Sequence, residues 1–356
     1  MSLQRSPVST VWITRKRRLA RELRGRGLVS YFRWSPRGIG AAARAGVYVV
    51  NDNSSDINFN LSGGAKIFNL WHGVGLKNVR FGAQVGSGAV LRSKPQNSFW
   101  KIRNMRRFET PDWILATSPE MAEEFFARCF QLPLTRAPAL GYPRLDVVLD
   151  EELRQLGGSF QDNSVVKGQR FARKILYGPT LRDEGTDFLA NALPDLSKLS
   201  EALRKQNSEL FIKIHPKMAH RTRVDGGFPD NIVILPPDFD IYPFLHSFDA
   251  LITDYSSIFF DYIYARSNGV LLYTFDFNKY KATERDLAWD YGQATAGVRA
   301  DNFTELCEIL ADGRIFEALE PEKLAKLRER FWGGEPRLPT ASQKVVDFLI
   351  SRITLR

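Results

Sequence analysis

The chain is expected to be an α/β protein of two Rossmann-like domains facing across a cleft. Three observations predict this. Short apolar runs alternate with helical patterns along most of the sequence, the signature of parallel sheets covered by helices. At 356 residues the chain is longer than one core usually supports. A polar, Gly-containing stretch between Asp150 and Lys174 reads as an inter-domain linker. It separates an N-terminal half, residues 1–150, from a C-terminal half, residues 165–330. Residues 331–356 are expected to form a closing helix that packs back on the first half.

In chain order, a helix is expected over Arg15–Arg26, then strands at Val47–Val50, Lys66–Leu70 and Trp113–Thr117. The Pro119–Phe130 helix starts with Ser118 as cap, Pro119 in the first turn and Glu120, Glu123 and Glu124 at its positive end. In the second half, strands are expected near Lys174–Tyr177, Leu210–Ile214, Asn231–Leu235, Ala250–Thr253 and Val270–Thr274. Helices should cover Leu196–Lys205, Ile258–Arg266, Phe303–Ala311, Glu322–Phe331 and Ser342–Ile350.

Composition excludes several classes. Apolar content of 44% and aromatic content of 12% suit globular cores rather than disorder. No apolar run approaches the ~20 residues of a membrane span. No apolar segment follows the N-terminal basic residues, so no secretory signal is expected. Cys129 and Cys307 lie in helix-like apolar patterns, which suggests neither a disulfide nor a zinc framework. No carboxylate cluster of the kind that holds Mg²⁺ occurs, so no metal or cofactor is expected. The formal net charge of +10 is concentrated in residues 1–50, where Glu22 is the single acid among eleven Lys and Arg. Residues 5–44 therefore suit an anionic partner, either lipid headgroups or nucleic acid. Residues 99–108 interleave aromatic and basic side chains and could lie on the same surface or form an ordinary solvated helix.

The motifs cluster at strand ends. Asp254-Tyr255-Ser256-Ser257 sits between an apolar run and a helical pattern, the geometry that offers N–H groups and hydroxyls to a phosphate. A serine that only caps its helix would give the same residues. Trp71-His72-Gly73 ends the Lys66–Leu70 strand, placing His72 where a general base could act, with Gly73, Gly75 and Lys77 following. A histidine beside tryptophan is more often structural. Lys213-Ile214-His215-Pro216 puts Lys213 and His215 on one strand face, which is costly unless they meet an anion. Tyr177-Gly178-Pro179-Thr180-Leu181-Arg182 brings Thr180 and Arg182 to another strand end, and arginine binds phosphate as a fork. Gly141-Tyr142-Pro143-Arg144-Leu145-Asp146 places Arg144 near the hinge.

Taken in order from about Lys66 to Leu310, these motifs resemble the CDP-glycerol glycerophosphotransferase family, the primases and polymerases of teichoic acids and their phosphate-linked capsule relatives. The resemblance implies a GT-B fold and a CDP-alditol donor, most often CDP-glycerol, bound mainly by the second domain. It implies transfer of the alditol phosphate to a lipid-linked glycan hydroxyl, with release of CMP, at the cytoplasmic membrane face. By the same likeness His72 would be the base for the acceptor hydroxyl and His215 a second catalytic group. Thr180, Arg182, Lys213, Asp254, Ser256 and Ser257 would surround the donor diphosphate. Gly73, Lys77 and Arg144 would lie on the acceptor side or at the hinge. Leu70, Val74 and Leu145 depart from the usual family residues, which leaves the acceptor and the length of the product open.

Two alternatives stand beside this expectation. A GT-B glycosyltransferase using a nucleotide sugar would share the fold. A basic nucleic-acid- or membrane-binding protein without catalysis would use the arginine-rich arm, but it would leave the ordered motifs unexplained. No nucleic-acid partner is expected.

Overall fold

The computed structural model describes residues 8–85, 109–158, 164–167, 170–182, 188–214, 227–335 and 340–353. They form two compact units. One is drawn from Met1–His72, Lys94–Tyr142 and Ser342–Arg356, the other from Gly73–Ser93 and Pro143–Ala341. Both are α/β.

In the first unit, β1 (Trp12–Thr14) and β2 (Ser30–Phe32) pair in parallel across the Arg17–Gly25 helix, which buries Ala20 and Leu23 and exposes its arginines. The Pro36–Arg44 helix follows at once. The Ser35 hydroxyl caps it at Gly38 N (3.0 Å), and any Cβ at Gly38 would meet Phe32 O at 2.2 Å. A second parallel sheet has the order β3 (Val47–Val50), β4 (Lys66–Asn69), β5 (Trp113–Ile114). From Ser342 onward the Ala341–Ile353 helix belongs to this unit, and Phe348 packs against Phe68 and Trp113 at 5.8 Å each.

The second unit is built on six parallel strands, β6 (Arg173–Gly178), β7 (Ser208–Ile212), β8 (Ile232–Ile234), β9 (Ala250–Thr253), β10 (Val270–Tyr273) and β11 (Val298–Ala300). Their spatial order is β11-β10-β9-β6-β7-β8. Strands β7, β9 and β10 are buried on both faces, which is why Leu210–Ile212, Ala250–Ile252 and Val270–Tyr273 read as apolar runs. One face carries Ile175, Tyr177, Leu210, Ile212, Ile252 and Leu271 against the Leu196–Lys205 and Phe303–Asp312 helices. The Ile258–Ala265 helix packs on the Pro321–Trp332 helix through Phe260 and Phe331, 4.4 Å apart.

Several elements differ from the sequence expectation. The stretch between Asp150 and Lys174 is not a linker. It contains a Glu151–Gly158 helix and a helical turn at Ser164–Lys167, both within the second unit. The chain passes between units at His72/Gly73 and Tyr142/Pro143, so the Gly73–Lys77 segment and Arg144 sit in the second unit rather than in an N-terminal half ending at residue 150. Strands β1, β2 and β11 and the Pro36–Arg44 helix have no counterpart in the sequence assignment. The residue 99–108 cluster lies outside the described residues.

Candidate active site

The second sheet reverses its order between β6 and β9. From β6 the chain builds outward through β7 and β8, then returns to add β9, β10 and β11 on the other side. Ligands of open α/β sheets bind outside the carboxyl ends of strands at such a switch point. Here those ends are the Pro179–Arg182 and Asp254–Ser257 segments. They are stitched together by Thr253 Oγ1 donating to Gly178 O (2.7 Å) and Thr180 N donating to Asp254 Oδ1 (2.9 Å).

Arg182 is buried, with 7% of its side chain exposed, and its guanidinium is spent inside the protein. Nη2 donates to Asp254 Oδ2 (2.9 Å) and Asp276 Oδ1 (3.0 Å), Nε to Asp276 Oδ2 (2.9 Å), and Nη1 to Thr180 O (2.9 Å). Its charge also lies over the rings of Tyr280, Phe188 and Tyr255 at 4.7, 4.9 and 5.2 Å. Burial disfavours that charge, but Asp254 and then Asp276 hold its pKa above the ordinary arginine value. Asp254 also accepts from Tyr255 N (2.6 Å), and Tyr255 OH donates to Asp276 (3.0 Å). Arg182 and Asp254 thus fix the two strand ends relative to each other. Among the described residues the buried Thr180 Oγ1 has no hydrogen-bond partner, an open hydroxyl just past the end of β6.

The Ser256–Ser257 turn is different. Ser257 takes helical dihedrals and makes no side-chain capping bond, so the ordinary capping explanation does not hold. Neither serine hydroxyl has a hydrogen-bond partner among the described residues. Phe259 N and Phe260 N turn back to the carbonyls of Ser256 and Ser257 at 3.3 and 3.1 Å, so the open donors lie ahead of them at the helix's positive end. Gly73 closes one side, since a Cβ there would stand 2.7 Å from Ser257 Oγ. Beneath the turn, Arg144 Nη2 donates to both oxygens of Asp261 (2.9 and 2.8 Å), and Tyr242 OH donates to Asp261 Oδ2 (2.8 Å). Burial, with Asp261 beside it, pushes the Tyr242 phenol far above its ordinary value, so it stays a donor. Open hydroxyls, open N–H groups and a helix terminus are the parts from which an anion seat can be built.

Lys213 follows β7, half-buried, and its Nζ donates to Pro236 O (3.2 Å) and Pro237 O (2.5 Å). Burial lowers its pKa, with Asp238 and Asp240 opposing that. Lys77 pairs through its backbone with Leu287. His215 lies outside the described residues.

His72, at the end of β4, is in the first unit and exposed. Its Nδ1 is 3.2 Å from Asn51 O. A carbonyl can only accept, so in neutral imidazole that contact assigns the proton to Nδ1 and leaves the Nε2 lone pair outward. Trp71 stacks beside it with ring centroids 4.2 Å apart and is braced edge-on by Phe126 and Phe130. Trp71 itself has φ +57°, a strained value for a bulky residue, held by Asn69 Oδ1 accepting from its N–H (2.7 Å).

The sequence reasoning missed Asp276, Tyr242 and Tyr255, and it gave Asp261 no role. Tyr255 stood inside the Asp254–Ser257 motif without a role, and Asp261 four residues beyond it; a carboxylate on the inner face of an apolar helix was the available signal.

Known proteins share this architecture. The chain is 24% identical over 287 residues to the teichoic acid ribitol-phosphate primase of Bacillus spizizenii, covering 80% of this chain and 69% of that one. It is 25% identical over 282 residues to the teichoic acid glycerol-phosphate transferase of Staphylococcus aureus, covering 76% and 67%. Of the ribitol-phosphate polymerase TarL of S. aureus, also 25% identical, it spans 42% of the length. Among solved structures, the wall teichoic acid polymerase TagF superposes with a TM-score of 0.73 at 19% identity, over 98% of this chain and 82% of that one. The S. aureus MnaA–UDP structure superposes at 0.54 with 12% identity, over 94% and 86%. These likenesses establish the GT-B-like α/β fold. Residues 1–351 match the CDP-glycerol:poly(glycerophosphate) glycerophosphotransferase profile, and the chain belongs to that family.

Proposed function

We propose that the protein transfers an alditol phosphate, glycerol phosphate foremost, from a CDP-alditol to a hydroxyl of a lipid-linked or polymeric glycan, releasing CMP. The observation that carries this reading is the open Ser256–Ser257 helix terminus at the sheet's switch point, which suits the donor diphosphate. Both glycerol- and ribitol-phosphate enzymes stand among the relatives, and TagF has been solved with CDPG.

The acceptor oxygen attacks the β-phosphorus, and the bond from that phosphorus to the bridging oxygen breaks. CMP departs with the bonding pair. His72 Nε2 takes the hydroxyl proton, its other nitrogen being held toward Asn51 O. Ser256, Ser257 and the helix N–H groups bear the charge accumulating on the diphosphate, usually the largest single term in such catalysis. Thr180 and Lys213 stand at neighbouring strand ends, and His215 enters on its motif alone. Arg182 and Asp254 act by fixing the strand ends, since their polar atoms are used within the protein.

The acceptor would be met at the inner face of the bacterial cell membrane. The first unit supports this with the exposed arginines of Arg17–Gly25, exposed Trp12 and Trp34, and Arg33 over the Trp34 ring. Among the described residues no helix is long and apolar enough to cross a membrane.

The test is CMP release from CDP-glycerol, CDP-ribitol and UDP-glucose, with a membrane-lipid extract as acceptor. Release from one CDP-alditol, lost in His72→Ala, supports the reaction and names the donor. Release from the sugar nucleotide alone would replace it with glycosyl transfer.

A further inference from the structure

We propose that Trp289 and Asp286 are positioning residues of the donor site, and that the Gly73–Lys77 loop they hold acts on the donor rather than on the acceptor. This rests on the reading of Ser256–Ser257 as the donor-diphosphate seat.

Segment 73–85 runs along segment 286–289 within the second unit. Trp289 Nε1 donates to Gly75 O (2.6 Å), Ala288 N to Leu76 O (2.9 Å), and Asn78 N to Asp286 O (3.0 Å). The Asp286 carboxylate gathers the far end of the loop, accepting from Asn78 Nδ2 (2.7 Å), Gln84 N (2.9 Å) and Val85 N (3.2 Å). Those donors hold its pKa below the ordinary carboxylate value although burial opposes them. Val74 and Leu76 are buried between, so the loop has an apolar anchor as well as polar ties.

The same bracket is fixed to the phosphate-seat helix. Trp289 packs edge-on against Phe331 (5.8 Å) under the Arg330 guanidinium (4.4 Å), and Phe331 meets Phe260 on the Ile258–Ala265 helix (4.4 Å). Gly73 returns to the turn that opens that helix, where a Cβ would stand 2.7 Å from Ser257 Oγ and 3.2 Å from Ser257 Cβ. Helix, Phe331, Trp289, Gly75 and Gly73 therefore close a ring that starts and ends at the Ser257 turn. Such a ring sets how far the loop backbone stands from the open donors. A merely structural strap would not need to return to the site. Loosening one link should let Gly73 drift over the seat and weaken donor binding while leaving the proton transfer alone.

Trp289→Phe removes the Nε1 donor and keeps the ring that packs on Phe331. Asn78→Ala serves as a second variant that loosens the loop through Asp286 without touching the aromatic stack. The measurements are CDP-glycerol affinity by titration, kcat, both KM values and the thermal midpoint, with Ser257→Ala in parallel. Losing one hydrogen bond to the loop should weaken CDP-glycerol binding and raise its KM about two- to tenfold, with kcat and the acceptor KM little changed. Unchanged donor affinity in both loop variants, with Ser257→Ala impaired, would overturn the positioning role and keep the seat. So would a fall in kcat and thermal midpoint with no change in donor KM. If Ser257→Ala itself binds CDP-glycerol normally, the seat reading falls and this proposal with it.

Discussion

Arg144 meets Asp261 through a single nitrogen, Nη2, which donates to both carboxylate oxygens at 2.9 and 2.8 Å. The two partners are unequally placed: 24% of the arginine side chain is exposed, and 1% of the aspartate. Removing Asp261 would leave a cation that can reach water, whereas removing Arg144 would strand a buried anion with Tyr242 OH as its one remaining side-chain partner among the described residues. Breaking a buried pair costs about 3–5 kcal/mol when the remaining charge cannot be resolvated. Arg144→Met should therefore lose about that much in urea denaturation, and Asp261→Asn clearly less. Equal losses would show that the burial asymmetry is not decisive.

Arg182 and Ser257 should fail in opposite ways, although the motifs place both around the donor. Arg182→Lys cannot reproduce the fork to Asp254 and Asp276, and two carboxylates would be left short of donors. Its chief effect should be a lowered urea midpoint, with donor affinity following stability. The double change Ser256→Ala, Ser257→Ala removes hydroxyls that bond nothing among the described residues, so the urea midpoint should hold. Each hydrogen bond to a charged group is worth about 1.5–3 kcal/mol, so CDP-glycerol affinity should fall at least about tenfold. A stable Arg182→Lys protein with selectively lost donor binding would return the guanidinium to direct phosphate contact.

The first unit's basic layer gives a prediction of another kind. Trp12 is 57% and Trp34 53% exposed, the Arg17–Gly25 helix in the same unit exposes its arginines, and Arg33 lies over the Trp34 ring at 4.8 Å. Exposed indole beside guanidinium suits a lipid interface, where each basic residue near an anionic leaflet adds about 1 kcal/mol. Co-sedimentation with phosphatidylglycerol vesicles should fall in Trp12→Ala, Trp34→Ala, fall further in salt, and be weak with phosphatidylcholine. Equal binding to both vesicle types would rule out the charge-based surface.

Local signals made part of this legible. Strand β9 and the Leu196–Lys205 helix occupy the residues their apolar periodicity indicates, because both bury a continuous run or stripe. Short elements escaped: β1 and β2 carry Trp12 and Tyr31 among arginines and bury little, so they leave no apolar run to read. The Glu151–Gly158 helix reads as a linker because Leu153 and Leu156 are its two large apolar side chains amid polar and Gly residues, too few to make a stripe. In the site, residue types at strand ends were readable but their partners were not. Arg182 looked like a phosphate fork; only three-dimensional proximity to Asp254 and Asp276, far along the chain, shows where its donors go. The same holds for Gly73, whose neighbour is Ser257.

His72 offers the sharpest separation of chemistry from binding. The Asn51 carbonyl fixes which nitrogen carries the proton, and the Trp71 ring at 4.2 Å fixes the imidazole plane, so the imidazole is oriented before any substrate arrives. His72→Gln keeps a polar side chain of similar reach but cannot accept a proton at neutral pH. General base catalysis is worth roughly 10²–10⁴-fold, so kcat should fall by about that factor. CDP-glycerol affinity should stay within about twofold, because the residue is asked to touch only the acceptor hydroxyl. Trp71→Ala should produce a smaller fall in kcat, since the imidazole remains but its plane is free. A His72→Gln enzyme that keeps its rate would remove this histidine from the reaction.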